Sequence, residues 1–232
     1  MRTWLLLAAE RREFDGLLSR FQAGSSEIVP LGWPDVRFAV EAEWNGDRWW
    51  LVANGPGPEL VGRALASRRE VSGLVSTGFC GGLDPALRVG EIVVSGELEL
   101  ASDHPVIHGK VHTSHLVATT KEDKRKLRVQ TGAVAVEMEA DAVRYKANEW
   151  GVPFGCVKVV SDTAQVDMPL DFNRYRSVSG DFSRMKIALA AMARPFTVMP
   201  RLMELDRNCK RDRKSTRLNS SHIPLSRMPS SA

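Results

Sequence analysis

The chain predicts an α/β fold: a single domain with a central mixed β-sheet flanked by helices. Three observations predict it. Apolar runs rich in Val and Leu alternate with amphipathic stretches along residues 1–206. Several of those runs are apolar on both faces, as in strands buried on both sides of a sheet. Acidic residues stand at the ends of two runs, in Ala135-Val-Glu-Met-Glu-Ala140 and Val159-Val-Ser-Asp-Thr163. That is how such folds present carboxylates at the carboxyl edge of the sheet, where ligands bind.

The elements follow in order. Residues 3–9 read as a strand, and residues 10–21 as a helix with Phe14, Leu17, Leu18 and Phe21 on one face. Residues 36–43 and 48–54 read as strands around the turn Asn45-Gly46-Asp47. Gly55-Pro-Gly-Pro58 is a tight loop before a helix over 59–69. Residues 73–77 read as a strand ending in the glycine-rich turn Gly78-Phe-Cys-Gly-Gly82, and 90–95 as another strand. A short strand over 115–119 precedes a charged helix over 121–130. Then come a strand over 133–136, a helix over 140–150 and a strand over 153–160. Helices over 171–193 and 195–206, punctuated by Pro195, close the fold.

A chain of 232 residues with 43% hydrophobic and 26% charged residues suits one soluble domain with a substantial core. No apolar run reaches the ~18 residues of a membrane span. The apolar start is cut by Glu10-Arg-Arg-Glu13, too early for an export signal, and reads as a buried first strand. Three cysteines without a paired spacing, Cys80, Cys156 and Cys209, suit a reducing cytoplasm. The net charge of +4 arises after Asp206, where seven Lys/Arg stand against one acid, so the body is mildly acidic. The chain therefore divides into a domain over 1–208 and a basic tail over 209–232. The tail is rich in Ser, Arg and Pro, is expected to be disordered, and resembles a translated sequencing adapter.

Bland readings stand beside the sharp ones. Glu137, Glu139, Asp162 and Glu10 could each be helix N-terminal charges. Cys80 and Cys156 suit small buried hydrophobes. His104, His108, His112 and His115 are broken up by Pro105 and Gly109, which argues against a metal site. The basic stretch 121–128 has no aromatic residues for stacking, which argues against nucleic acid. Adjacent Trp49 and Trp50 point to opposite faces of a strand, so one could meet a partner subunit.

Thr77-Gly-Phe-Cys-Gly-Gly-Leu-Asp-Pro-Ala-Leu-Arg-Val-Gly-Glu-Ile-Val-Val94, Val136-Glu-Met-Glu-Ala140 and Val160-Ser-Asp162 together resemble the nucleoside phosphorylase/nucleosidase superfamily. The resemblance spans residues 1–206 and points to the purine nucleosidase branch. That branch includes methylthioadenosine/S-adenosylhomocysteine nucleosidase, futalosine hydrolase and the hopanoid-associated adenosylhopane nucleosidase. Asp167-Met-Pro-Leu-Asp-Phe-Asn173 is most similar to the last of these. The resemblance implies a cytoplasmic homodimer that binds a small purine nucleoside and releases adenine without metal or organic cofactor.

It also implies roles. Adenine leaves poorly as an anion, so a carboxylic acid near N7 must donate or share a proton. Asp162 takes that place, oriented by Ser161. Glu139 would hold the ribose and stabilise its oxocarbenium character, with Met138 beneath the sugar. Glu10 would activate water. Phe79, Cys80 and Gly81 would line the sugar side, Glu137 would support the site, and Phe172 would cover it. Related phosphorylases carry an Arg where this chain has Ser76, and a Gly-rich loop where it has Ala8-Ala-Glu10, which favours hydrolysis. Thr119 and Thr120 are candidates for contact with the base. A phosphate-dependent phosphorylase and a non-catalytic nucleoside-binding module are the alternatives.

Overall fold

The structure, a computed structural model, describes residues 1–97, 105–175, 187 and 203–207. The tail, His104 and most of the two closing helices lie outside the described residues. Among the described residues ten strands form one mixed sheet: β1 (Thr3–Ala8), β2 (Ile28–Pro30), β3 (Phe38–Trp44), β4 (Asp47–Ala53), β5 (Gly73–Gly82), β6 (Ile92–Gly96), β7 (Val106–His108), β8 (Val111–Thr113), β9 (Ala135–Glu137) and β10 (Phe154–Asp162). Among the described residues the helices α1 (Asp15–Ala23), α2 (Pro58–Ala64), α3 (Lys121–Thr131) and α4 (Ala140–Trp150) accompany them.

The strand order is β2-β3-β4-β1-β5-β10-β6-β7, with β9 pairing β5 off this path and β8 pairing β9. The parallel centre, β4-β1-β5-β10, is apolar on both faces. Leu5 and Leu7 enter one core with α2 and α4, while Trp4, Leu6 and Ala8 enter the other with α1. The period of two thus splits β1 between two cores. The hairpin β3–β4 turns on Asn45 (φ 51°) and Gly46 (φ 76°), residues that tolerate positive φ in a two-residue loop.

Several sequence expectations are corrected. Residues 11–14 form a 3-10 turn, and α1 begins only at Asp15. No strand covers residues 115–119; the short strands lie at β7 and β8. The helix expected to reach Arg69 ends at Ala64. The glycine-rich segment 78–82 is not a turn but the second half of β5, with Gly78 to Gly81 paired to β10. Glycine there reflects a side chain crowding the strand, as the site makes plain.

Both tryptophans of the adjacent pair find partners within the chain. Trp49 is buried near Phe21, and the Trp50 indole meets Trp33 edge-on and donates to Glu41 at 2.7 Å.

Candidate active site

Register explains why distant segments meet. Asp162 at the end of β10 sits beside Gly81 of β5, Gly81 sits beside Val136 of β9, and Glu137 sits beside Thr113 of β8. One pocket at this sheet edge is lined by Glu13, Phe79, Cys80, Gly81, Met138, Glu139, Ser161 and Asp162, with Glu137 also at its wall. Ala9, Pro56, Leu116, Val117, Ala118, Val136 and Met168 complete it.

Asp162 is buried, and both of its oxygens are engaged. Ser161 Oγ donates to Oδ1 at 2.7 Å and lies 3.1 Å from the Cys80 carbonyl. Lys124 Nζ meets Oδ2 at 2.5 Å. Gly81 leaves space for this carboxylate: a Cβ there would lie 3.3 Å from Oδ2.

Glu137 and Glu139 are two residues apart and differently occupied. Glu137 accepts from the backbone N–H groups of Glu139 (2.9 Å) and Ala140 (2.9 Å), from Thr113 Oγ1 (2.6 Å) and from Lys158 Nζ (2.9 Å). It caps the start of α4, and its lone pairs are spent there. Burial pushes its carboxyl up, but Lys158 and these donors outweigh burial and hold it below the ordinary range. Glu139 accepts from the Gly57 N–H at 3.0 Å and lies 3.5 Å from Lys158 Nζ. Burial raises its carboxyl, Lys158 offsets part of that, and Glu137 adds to the rise.

Lys158 was not singled out by the sequence, where it reads as an interruption in an apolar strand. Its ammonium is buried between Glu137 and Glu139 and donates to the Thr77 carbonyl at 3.0 Å. Burial disfavours its charge, but the two glutamates reverse this and hold it firmly protonated.

The water-side expectation for Glu10 meets a different arrangement. Glu10 pairs with Arg12 at 2.7 Å and lines a neighbouring cleft, not this pocket. Glu13 lines the pocket instead. The 3-10 turn brings it back beneath the end of β1, where its Oε1 accepts the Glu10 N–H at 2.8 Å. Its Oε2 rests against Gly78, where a Cβ would intrude to 1.9 Å. Burial raises Glu13 to about 7, with Lys158 opposing and Glu139 and Glu10 adding to the rise. The spacing Glu10-Arg-Arg-Glu13 carried the signal: an acid three residues into a helical start commonly turns back to bond the capping N–H.

Phe172 is not among the pocket-lining residues; it opens a 3-10 turn over Phe172–Tyr175. Its neighbour Asn173 ties that turn to Val117, accepting from its N–H and donating to its carbonyl, both at 2.9 Å. Met168 is the apolar residue that this segment places on the pocket, anchored by its N–H to the Thr119 carbonyl at 2.8 Å. Thr120 caps α3 through Asp123, so neither threonine faces the pocket.

Burial pushes the Cys80 thiol well up and Cys156 up to about 12, so neither presents a thiolate near neutral pH. Ser76, fully buried in β5, has a hydroxyl with no hydrogen-bond partner and does not line the pocket. No three metal-ligating side chains cluster among the described residues. No helix among them is long and apolar enough to cross a membrane.

Residues 95–184 match the family model described as the phosphorylase superfamily. The native structure of futalosine hydrolase from Helicobacter pylori is similar, with a TM-score of 0.65 at 15% identity, covering 95% of this chain and 94% of that one. The 5′-methylthioadenosine/S-adenosylhomocysteine nucleosidase of Campylobacter jejuni gives 0.60 at 16% identity over 75% of this chain and 91% of that one. The corresponding Neisseria meningitidis enzyme, in complex with methylthio-immucillin-A, gives 0.56 at 23% identity over 71% and 87%. At these identities the likeness is one of fold.

Proposed function

For a chain that carries the phosphorylase-superfamily fold, we propose a purine nucleosidase that hydrolyses the N-glycosidic bond of a 5′-substituted adenine nucleoside. The observation that carries the reading is the convergence of Asp162, Glu139 and Glu13 on one pocket, with the Lys158 ammonium beside the two glutamates.

The chemistry divides among them. As the bond from C1′ to N9 breaks, its electron pair enters the purine, and N7 takes a proton from the Asp162 side. The sugar gains oxocarbenium character, and Glu139 holds the ribose hydroxyls and stabilises that charge. A water oxygen bonds C1′ and gives its proton to Glu13. A carboxyl raised to about 7 is well matched to that task near neutral pH. Lys158 holds negative charge on the sugar side without touching the base. Met138, Phe79, Cys80 and Gly81 wall the sugar, and Glu137 fixes the strand–helix junction that carries Glu139. The reading carries with it a cytoplasmic homodimer.

Hydrolysis is favoured over phosphorolysis because Ser76 is buried away from the pocket and the pocket wall carries four acids, Glu13, Glu137, Glu139 and Asp162. One observation favours the second reading: the neighbouring cleft shares Ala9 and Pro56 with the pocket and is lined by Arg11, Arg12 and Arg37. Glu10 and Asp15 stand in the same cleft and oppose an anion there.

The test is adenine release from 5′-methylthioadenosine, S-adenosylhomocysteine and an adenosine bearing a long apolar 5′ chain, with Asp162→Asn beside the wild type. The variant should lose at least ~10²-fold in turnover. Because Asp162 also neutralises a buried lysine, the swap should lower stability by a few kcal/mol while the protein still folds. Near-normal turnover in the variant would sink the assignment.

A further inference from the structure

A second buried cation reaches the site from an element the proposed chemistry does not otherwise use. α3 is a polar helix whose one buried residue is a lysine, Lys124. Its three donors meet three acceptors: Asp162 Oδ2 at 2.5 Å and the carbonyls of Thr163 at 2.8 Å and Val166 at 2.9 Å. The ammonium is thereby fully buried and held against the carboxylate.

Burying an ammonium costs several kcal/mol, and an apolar side chain would join α3 to residues 163–166 at less cost. A structural tie alone therefore leaves the lysine unexplained. Ser161 supplies a related clue. Its single hydroxyl proton has two acceptors within reach, Asp162 Oδ1 and the Cys80 carbonyl. It can serve Asp162 as a carboxylate, then turn to Cys80 and accept from Asp162 as an acid. The surroundings accommodate both protonation states of this one side chain.

We propose that the proton taken by the departing purine is held by the Asp162–Lys124 pair, with Lys124 a positioning residue that acts through Asp162. This rests on the reading of Asp162 as the acid facing the base. The resting pair is ammonium and carboxylate. As the bond from C1′ to N9 breaks, one proton passes from Nζ to Asp162 and one from Asp162 to N7. The net transfer is one proton from lysine to purine, leaving a neutral amine and a carboxylate. Water's proton goes to Glu13 on the opposite side, and solvent reprotonates the amine after adenine leaves.

The test compares the 5′-methylthio ribosides of adenine and of 6-chloropurine, two bases of similar shape, the second of which leaves more readily as an anion. Lys124→Gln keeps donors for the two carbonyls and removes the ionisable proton. It should cut kcat with adenine by about 10²-fold, leave KM within about threefold, and cut kcat with 6-chloropurine at least tenfold less. Equal losses on both bases, or no loss on adenine, overturn the proposal. Should Lys124→Gln fail to fold, Lys124→Arg keeps charge and donors but releases no proton; it should show the same selective loss, and an equal loss on both bases overturns the proposal again. If Asp162→Asn retains turnover, the reading of Asp162 fails. If that variant is inactive while Lys124→Gln treats both bases alike, only the present proposal fails.

Discussion

Glu10 and Glu13 are three residues apart, and their surroundings separate their work. Glu10 spends its charge on Arg12 in the neighbouring cleft, whereas Glu13 lines the pocket against Gly78, where desolvation raises it to about 7. Two measurements follow from that shift. A base that must be ionised gives kcat/KM rising with pH through about 7, and Glu13→Gln should remove this limb along with at least ~10²-fold of the rate. The stability sign runs the other way. With the folded value raised from 4.5 to about 7, the folded state holds a proton that the unfolded chain has released between those values. The contribution is full below pH 4.5 and is lost as pH rises through about 7. Thermal melts of the wild type should therefore fall across that window relative to Glu13→Gln; parallel curves would refute the shift. Glu137 and Glu139 make the same point about environment. Both are buried beside Lys158, yet saturation with donors lowers one while the proximity of that neighbour helps raise the other.

At the scale of elements, β5 and α3 carry the lessons. Gly78 to Gly82 looked like a turn because clustered glycines usually mark one. Here the glycines let a strand continue while side chains from other segments press against it. Gly78 has φ +120° and Glu13 Oε2 where its Cβ would be, so it serves conformation and close approach at once. Gly78→Ala should displace Glu13, lowering kcat by at least tenfold, and should cost stability through the strained φ; kinetics and a melting curve on one sample check both. α3 shows a limit of periodicity. Its charged sequence predicts a solvated helix, and its charged residues other than Lys124 keep contact with solvent. The exception, Lys124, cannot be told from its lysine and arginine neighbours until β10 is placed beneath it.

For the whole molecule, the sheet order decides the site. Residues 13, 57, 81, 139 and 162 meet because β1, β5, β9 and β10 end at one edge, with the loop before α2 donating Gly57 N–H to Glu139. The cleft beside the pocket makes one prediction at this scale. Under the hydrolytic reading, adenine release proceeds at the same rate with or without phosphate at millimolar concentration, and free ribosyl sugar rather than a sugar phosphate is the product. A rate that climbs with phosphate would shift the assignment to the arginine-lined cleft and to phosphorolysis.

The α/β class, the positions of most strands along the chain, helix α4 residue for residue and the two acidic segments were all legible in the sequence. They rest on local signals: apolar period, glycine after a helix, and acids at strand ends. What only the tertiary structure decided is which charges face one another. Lys124 and Lys158 lie 38 and 19 or more residues from their carboxylate partners, and the 3-10 turn at residues 11–14 decided that Glu13 rather than Glu10 reaches the pocket. Local pattern records a residue's own preference for water. Burial, pairing and the proton that follows from them belong to neighbours brought together by strand register.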